Sequence, residues 1–548
     1  MTKNINQKLI IFIGFLLLSL FLRFWTLFVS VLDKDESIYI LGADSLLNGN
    51  LPYTKIWDNK PPGIFILFSL AMLMFDNSIV SIRILSILAT TLTSYFLYRI
   101  GANFDENKGE KIGLLAGGLY AIFSLHNDGA AANAEIFFAP FVTVGFLLLF
   151  QNRKFSNIKV FLIGIILGIG MQIKYLVIMD TLALVLLGTW FGNEGRIRGR
   201  DGLIKNFQTA FKFYLILGIG LILPAIIIAS IYQFYGYFDE YIYGTLSANS
   251  KYVAMLDFSW SDLLSRLKKQ VLGNILLWLC LFFSPIYFFV FARGKFKQER
   301  NLIYLLLWFC CAFLAVLLSK RFYNHYFLQL LPPLCLISGY IIIKLVYLIP
   351  QKSANKHQYL EAIEPKKTIP KTPKLALINN QKLSRIISPS LAKIILSLIL
   401  IYPFAQAGYN KFNKNWEFIY YRYIQKMDTW DDREALIAKY LRERIKSTDY
   451  IYVVNYEPII YYLVPTKIPT KYAFPSHLTA MYQILPTDNL KELDNIMAKN
   501  PSYILVAEKD NISPEYRNAL NQYLETNSFL ETTIQNVKLY RMNVDSRE

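Results

Sequence analysis

The amino-acid sequence predicts a mainly α-helical polytopic membrane protein with a small α/β domain at its C-terminal end. Three observations carry this. Of the 548 residues, 54% are hydrophobic and only 18% charged, against about 45–50% and about 25% in an ordinary soluble domain. About eleven apolar segments approach or exceed the roughly 20 residues that a bilayer core requires. Beyond residue 410 the pattern changes to short helix and strand signals in alternation. The composition excludes a disordered chain and argues against a soluble enzyme.

The apolar segments lie near residues 9–30, 79–99, 112–126, 135–150, 158–173, 175–192, 213–235, 271–291, 302–318, 327–349 and 391–408. The first is long, is interrupted by Arg23 and lacks a small-x-small cleavage site, so it reads as an uncleaved anchor. The fifth and sixth are joined by almost nothing and form a tight hairpin. With the N-terminus inside, loops 1–8, 102–111, 151–159, 193–212, 292–300 and 344–393 carry 26 Lys and Arg, and the outside connections ten. The positive-inside rule demands such a bias. It also explains much of the net charge of +18, leaving no need for a nucleic-acid partner. The four cysteines each sit in an apolar run, without metal-ligand spacing or a disulfide framework.

Two domains follow. Residues 1–409 form the transmembrane domain, with a first outside loop at 31–77 and a Pro- and Lys-rich cytoplasmic linker at 350–390. Residues 410–548 form an extracytoplasmic α/β domain. In it Trp430 to Ile445 and Leu490 to Met497 read as helices, and Tyr450-Ile-Tyr-Val-Val-Asn and Tyr503-Ile-Leu-Val-Ala as strands.

Charged residues near membrane depth are costly and usually functional. Topology gathers Asp35, Glu36, Asp58, Lys60, Glu135, Lys174, Arg321, Tyr323 and His325 on the outer side. In the first loop, Ile38, Leu41, Ala43, Leu46 and Leu47 fit one face of a short helix, and 64–75 a second; both are expected to lie at the membrane interface. Between them Pro61 and Pro62 give Lys60 a rigid presentation. A transporter more often places ionisable groups mid-span, whereas a one-sided cluster suits chemistry at the interface. Lysine and arginine stabilise charge growing on a departing phosphate, and a carboxylate orients or deprotonates an incoming hydroxyl. A sugar on a lipid phosphate would use both. Each residue also has a plainer reading: Asp35 and Glu36 as a helix first turn, Lys60 and Lys174 as snorkelling anchors, and Arg321 and His325 as headgroup contacts.

The sequence Asp35-Glu36-x-x-Tyr39, Trp57-Asp58-x-Lys60-Pro61-Pro62-Gly63, Asn133-x-Glu135, Lys174 and Arg321-x-Tyr323-x-His325-Tyr326 resembles the GT-C glycosyltransferases. The nearer branch is the bacterial one related to protein O-mannosyltransferases and lipid A aminoarabinose transferase, and the likeness covers roughly residues 10–350. It implies a polyprenyl-phosphate-linked sugar donor, a lipid, glycan or protein acceptor, inversion at the anomeric carbon and a place in the bacterial inner membrane, with the active site outside. By position it implies Asp35 as the catalytic carboxylate with Glu36 beside it, and Lys60, Lys174, Arg321 and His325 as donor-phosphate ligands. Asp58, Glu135 and Tyr323 are candidate substrate contacts. The acid that directly precedes the lysine in aminoarabinose transferases is displaced here, because Asn59 intervenes after Asp58. A divalent metal is conceivable from the clustered acids, but no ligand spacing defines a site.

Two rivals stand beside this expectation. A flippase of polyprenyl-linked glycans would use the same cations without transfer, and Arg83 and Arg99 near the ends of the second segment favour it. A receptor or assembly factor would place its function in residues 410–548. His357 and His477 suggest no role.

Overall fold

A computed structural model describes residues 2–151, 156–193, 200–255, 257–291, 299–348, 417, 420–427, 432–479, 484–507 and 512–543. In chain order the helices of the first part are α1 (Thr2–Arg23), α2 (Lys34–Leu47), α3 (Gly63–Phe75), α4 (Ile79–Ala102), α5 (Gly109–Phe123), α6 (Ala134–Gln151), α7 (Asn157–Ile173) and α8 (Val177–Asn193). They continue as α9 (Arg200–Phe234), α10 (Phe238–Ile242), α11 (Ala248–Ala254), α12 (Trp260–Gly273), α13 (Ile275–Ile286), α14 (Arg300–Leu318) and α15 (Leu331–Leu348).

Each of the first ten apolar segments coincides with a helix, so this is an integral membrane protein. The expected number of crossings is not reached by length alone. Among the described residues, six helices are long and apolar enough to span: α1, α4, α6, α9, α14, and α15 with the 3-10 turn Asn324–Leu330 that leads into it. A seventh arises if α12 and α13, bent by 101°, count as one broken span. At 15 to 17 residues, α5, α7 and α8 are shorter than a full crossing. The segment 391–408, the linker 350–390 and the domain boundary near 410 lie outside the described residues.

Apolar stripes pack α4 against α5 and α6, α15 against α5, and α7 against α9. The last pair depends on close backbone approach: a Cβ on Gly164 would sit 2.4 Å from the Leu217 carbonyl oxygen. In the first loop, α2 departs from the expected interfacial helix. Its whole run Glu36 to Ala43 is buried, because the helix is enclosed by protein and not laid on a membrane. Helix α3 keeps interfacial character in its second half, where Leu70, Leu73 and Met74 are exposed.

The C-terminal part contains α16 (Arg433–Arg442), β1 (Ile451–Val454), α17 (Ile460–Leu463), α18 (Pro475–Thr479), α19 (Asn489–Met497), β2 (Tyr503–Ala507), α20 (Pro514–Asn527), β3 (Ser528–Ile534) and β4 (Val537–Met542). The helix expected from Trp430 to Ile445 is trimmed to α16 because Asp432 caps it, its Oδ1 accepting from the Ala435 N–H at 3.1 Å. The sheet order is β1-β2-β4-β3. Strand β2 runs parallel to β1, with Ile451 opposite Tyr503, and antiparallel to β4.

Several contacts fix this sheet domain over the first loop, a capping carboxylate and a shared apolar cluster among them. The second oxygen of Asp432 accepts from the Ser30 N–H at 3.0 Å and hydroxyl at 2.8 Å. Tyr53 and Trp57 of the loop share one apolar cluster with Tyr232 and Tyr241 and with Tyr452, Tyr472 and Ile484 of the sheet domain. The loop carrying Asp58 and Lys60 is therefore clamped between α9–α10 and the C-terminal domain.

Candidate active site

A cavity of about 960 Å³ opens where the first loop, the α7–α8 turn, the α14–α15 turn and the C-terminal domain meet. Its first wall is the start of α2. Asp33 caps that helix, its Oδ1 accepting from the Asp35 N–H at 2.9 Å, and this turns the Asp35 side chain into the cavity. Asp35 Oδ2 lies 3.4 Å from Lys60 Nζ and 4.0 Å from His325 Nε2, and it accepts the Tyr39 hydroxyl at 3.2 Å.

Lys60 is held by its loop. The Tyr53 hydroxyl donates to the Lys60 carbonyl at 2.6 Å, with Tyr53 itself at φ 74°, a strained conformation for an aromatic residue. Asn249 of α11 donates its Nδ2 to the Asn59 carbonyl at 2.7 Å. After the two prolines, Gly63 packs on the turn that carries Lys174: a Cβ there would stand 2.5 Å from the Gln172 carbonyl oxygen. The Lys-Pro-Pro-Gly element thus seats Lys60 beside Lys174, and glycine is what permits the contact.

Lys174 pairs with the buried Glu135 at the start of α6, and its ammonium lies 4.1 Å from the Tyr326 ring centroid. On the opposite turn, Lys320 and Phe322 have φ of 55° and 49°, and Phe322 is fully buried. Strained backbone of this kind survives only where its surroundings over-determine it. Arg321 lies 5.2 Å from the Tyr252 ring centroid, and Tyr323 stacks on His325 with centroids 5.7 Å apart. Arg266 of α12 also reaches the cavity, donating to Asn324 Oδ1 at 3.4 Å.

Burial alone would raise the Asp35 carboxyl. Lys60 above all, then His325 and Lys174, outweigh it and hold the group well below the usual carboxylate range. Burial would lower Lys60 too, but Asp35 and Asp58 keep its ammonium well above its ordinary value. Asp33 is pushed up to about 8 by burial and by the Asp35 charge. Ligand atoms of Asp33, Asp128 and His325 lie within 4.8 Å of one another. Two carboxylates and an imidazole form a donor set that suits a divalent cation, and these three residues would hold one with positions left for water or phosphate.

Of the residues singled out from sequence, Asp35, Asp58, Lys60, Lys174, Arg321, Tyr323 and His325 line this one cavity. Glu135 supports it from behind through Lys174. Glu36 does not reach it. Its carboxylate is fully buried and receives both Arg83 guanidinium nitrogens, at 2.5 and 2.6 Å, with the N–H of Leu32 and Ala132. Arg83 is thereby accounted for without a transport pathway.

Sequence reasoning passed over His477, which the C-terminal domain places with Nε2 3.6 Å from Asp58 Oδ1. Burial and then the Lys60 charge bring its imidazole down to about 3, so the contact joins a neutral ring to a carboxylate that burial pushes up. Nothing local marked His477. Asp33 and Asp128 were visible beside the acids already chosen, but caps and loop acids look alike in sequence.

Residues 59–200 match the family model for dolichyl-phosphate-mannose-protein mannosyltransferase. Among solved structures, ArnT from Cupriavidus metallidurans in the apo state superposes with a TM-score of 0.59 at 12% identity, covering 98% of each chain. The same protein bound to undecaprenyl phosphate gives 0.56 at 13% identity, over 100% of this chain and 99% of that one. The Archaeoglobus fulgidus oligosaccharyltransferase, tethered to an acceptor peptide, gives 0.53 at 13% identity, over 91% and 69%. The fold is that of the GT-C glycosyltransferases. No protein of curated function matches the chain in sequence. The matched family region contains Lys60, Glu135 and Lys174, and the remaining walls of the cavity come from α2, the α14–α15 turn and the C-terminal domain.

Proposed function

We propose that the protein is a membrane glycosyltransferase that moves a sugar from a polyprenyl-phosphate carrier to an acceptor hydroxyl on the extracytoplasmic face. The observation that carries this reading is the contact of Asp35 with Lys60, 3.4 Å apart in a cavity that Lys174 and Arg321 also line. An acid beside a set of cations offers one group for the acceptor and several for the phosphate.

In this reading Lys60, Lys174 and Arg321 bind the carrier phosphate, with His325 beside them. Binding draws the Lys60 ammonium from the carboxylate toward the phosphate, so Asp35 becomes a competent base only when donor is in place. The acceptor oxygen bonds to the anomeric carbon as its proton passes to Asp35. The bond from that carbon to the phosphate oxygen breaks, and its electron pair leaves on the phosphate, where the cations stabilise it. Attack opposite the leaving group inverts the anomeric configuration. Glu36 acts as a positioning residue, tying the start of α2 to α4. A divalent cation held by Asp33, Asp128 and His325 would add positive charge beside the phosphate. The basic loops favour a cytoplasmic N-terminus and an outer C-terminal domain, in a bacterial inner membrane.

The test is purified protein in lipid nanodiscs with undecaprenyl phosphates carrying radiolabelled mannose, glucose or 4-amino-arabinose, and an envelope extract as acceptor. Lys60→Ala is expected to weaken carrier binding at least tenfold and to slow release of undecaprenyl phosphate. Wild-type protein that binds these carriers yet transfers no label, and instead moves the carrier across the bilayer, would overturn the transferase in favour of a flippase.

A further inference from the structure

The C-terminal domain contributes more than a lid over the cavity. Its wall includes Asn455, which follows β1, and His477 of α18. Both are buried, with 4% of their surface exposed. Neither Asn455 Nδ2 nor His477 Nδ1 has a hydrogen-bond partner among the described residues, and Asp58 Oδ2, on a residue 2% exposed, accepts no hydrogen bond there either. Burying a polar group without a hydrogen bond is costly, so two such groups on one cavity wall, beside a carboxylate oxygen whose cation stands 3.9 Å away, point to a ligand that completes them.

Their chemistry is mixed. Asn455 Nδ2 is a donor and the carboxylate oxygen an acceptor. His477 Nε2 is turned to Asp58 Oδ1 at 3.6 Å, and its unpartnered Nδ1 can donate or accept according to the tautomer. A phosphate offers only acceptors and a lipid tail offers nothing. A sugar ring presents hydroxyls that both donate and accept. The wall is also preset. Trp57 meets the imidazole edge-on at 5.0 Å and Phe474 tilts against it at 4.9 Å. Asn455 sits at φ 52°, a left-handed conformation asparagine tolerates and most residues resist.

We propose that Asn455, His477 and Asp58 form a sugar subsite in which the C-terminal domain hydrogen-bonds the hydroxyls of the donor's sugar. This rests on the transferase reading and extends it. The donor is favoured over an acceptor glycan because Lys60 bridges the two halves of the cavity. Its ammonium is 3.4 Å from Asp35 and 3.9 Å from Asp58 Oδ2, so a phosphate held there brings its own sugar to this wall.

The test compares wild type, His477→Phe and Asn455→Asp as full-length protein in nanodiscs. His477→Phe keeps an aromatic ring packed against Trp57 and Phe474 and removes both nitrogens. Asn455→Asp keeps shape and tolerance of the left-handed backbone while removing the donor. The probes are undecaprenyl phosphate alone, undecaprenyl phosphate carrying mannose, glucose or 4-amino-arabinose, and free mannotriose added after the bare carrier. The expected result is that at least one loaded carrier binds wild type more tightly than the bare one. Both variants then lose five- to twenty-fold for that carrier and less than twofold for bare undecaprenyl phosphate. Unchanged carrier binding with loss confined to mannotriose would reassign the subsite to the acceptor and overturn the donor assignment. Equal loss for bare and loaded carriers, or no loss of any kind, would reduce these residues to packing. Wild-type protein that binds neither carrier would remove the transferase reading itself, an outcome distinct from wild-type binding that ignores the sugar.

Discussion

Asp35 and Glu36 are neighbours in sequence and belong to different parts of the molecule. One residue along an α-helix is a turn of about 100°, enough to send the first carboxylate into the cavity and the second into the core. Asp35 is partly exposed and keeps a loose contact with Lys60. Glu36 has no exposure and is saturated by Arg83 and two backbone N–H groups. A carboxylate meant to exchange partners during a reaction has to be reachable, and one that joins three chain segments has to be sealed. The comparison separates an acid that faces the cavity, where the proposed reaction needs it, from an acid that holds the scaffold, inside a dipeptide that reads as one motif.

The largest expected effect breaks the comparison on the reactive side. Asp35→Asn keeps the shape of the side chain and removes the base, so transfer should fall by about 10²–10⁴-fold. Binding of undecaprenyl phosphate and the melting temperature should stay near wild type. Single-turnover release of labelled carrier checks this, and wild-type turnover in the variant would remove Asp35 from the chemistry.

On the sealed side the effect should appear in stability. Glu36→Gln leaves the Arg83 guanidinium buried without a counter-charge, which costs about 3–5 kcal/mol. The variant should lose most of its folded yield in detergent, measured by size-exclusion fluorescence and thermal melting. The double variant Glu36→Gln with Arg83→Met should recover much of the loss, because neither charge is then stranded. A Glu36→Gln protein as stable as wild type but inactive would invert the assignment of the two acids.

What sequence revealed follows the same division. Apolar runs made the membrane character and ten helical segments legible, since burial in lipid leaves a direct trace in composition. The cavity-facing residues Asp35, Lys60, Lys174, Arg321 and His325 were legible because charge is conspicuous beside apolar spans. Glu36 was misplaced because helical facing depends on which neighbour supplies Arg83, 47 positions on. His477 was invisible because its partner Asp58 lies in the first loop, and only the docking of the C-terminal domain joins them. The lengths of α5, α7 and α8 show a further limit: apolar runs mark helices well, but not how far each one reaches across a bilayer.

A smaller effect should follow from the contact that seats the reactive pair. Gly63→Ala drives a Cβ into the Gln172 carbonyl, and overpacking of this kind costs about 1–3 kcal/mol. Backbone meets backbone there, so relief requires the Lys60 loop and the Lys174 turn to separate. Carrier affinity should weaken about tenfold, measured by binding of labelled undecaprenyl phosphate, while the sealed pair is left intact. Loss of stability without loss of affinity would mean that the two lysines do not act on one phosphate.

The mildest perturbation sharpens the comparison most. Tyr53→Phe removes one hydroxyl and keeps the aromatic packing against Tyr232 and Gly244. The lost bond is the 2.6 Å donation to the Lys60 carbonyl, worth about 0.5–1.5 kcal/mol. Global stability should fall by no more than that, because the Glu36–Arg83 junction shares no atoms with the Tyr53–Lys60 segment. The same energy acts locally on the backbone from which Lys60 extends, so carrier affinity should drop about two- to tenfold. Undecaprenyl phosphate titrations beside thermal melts on one preparation separate the two readouts. Affinity that falls while melting barely moves would show that the open pair depends on its loop and the sealed pair does not. Equal shifts in both would mean that the loop and the core unfold as one unit, and the two acids would then differ in exposure alone.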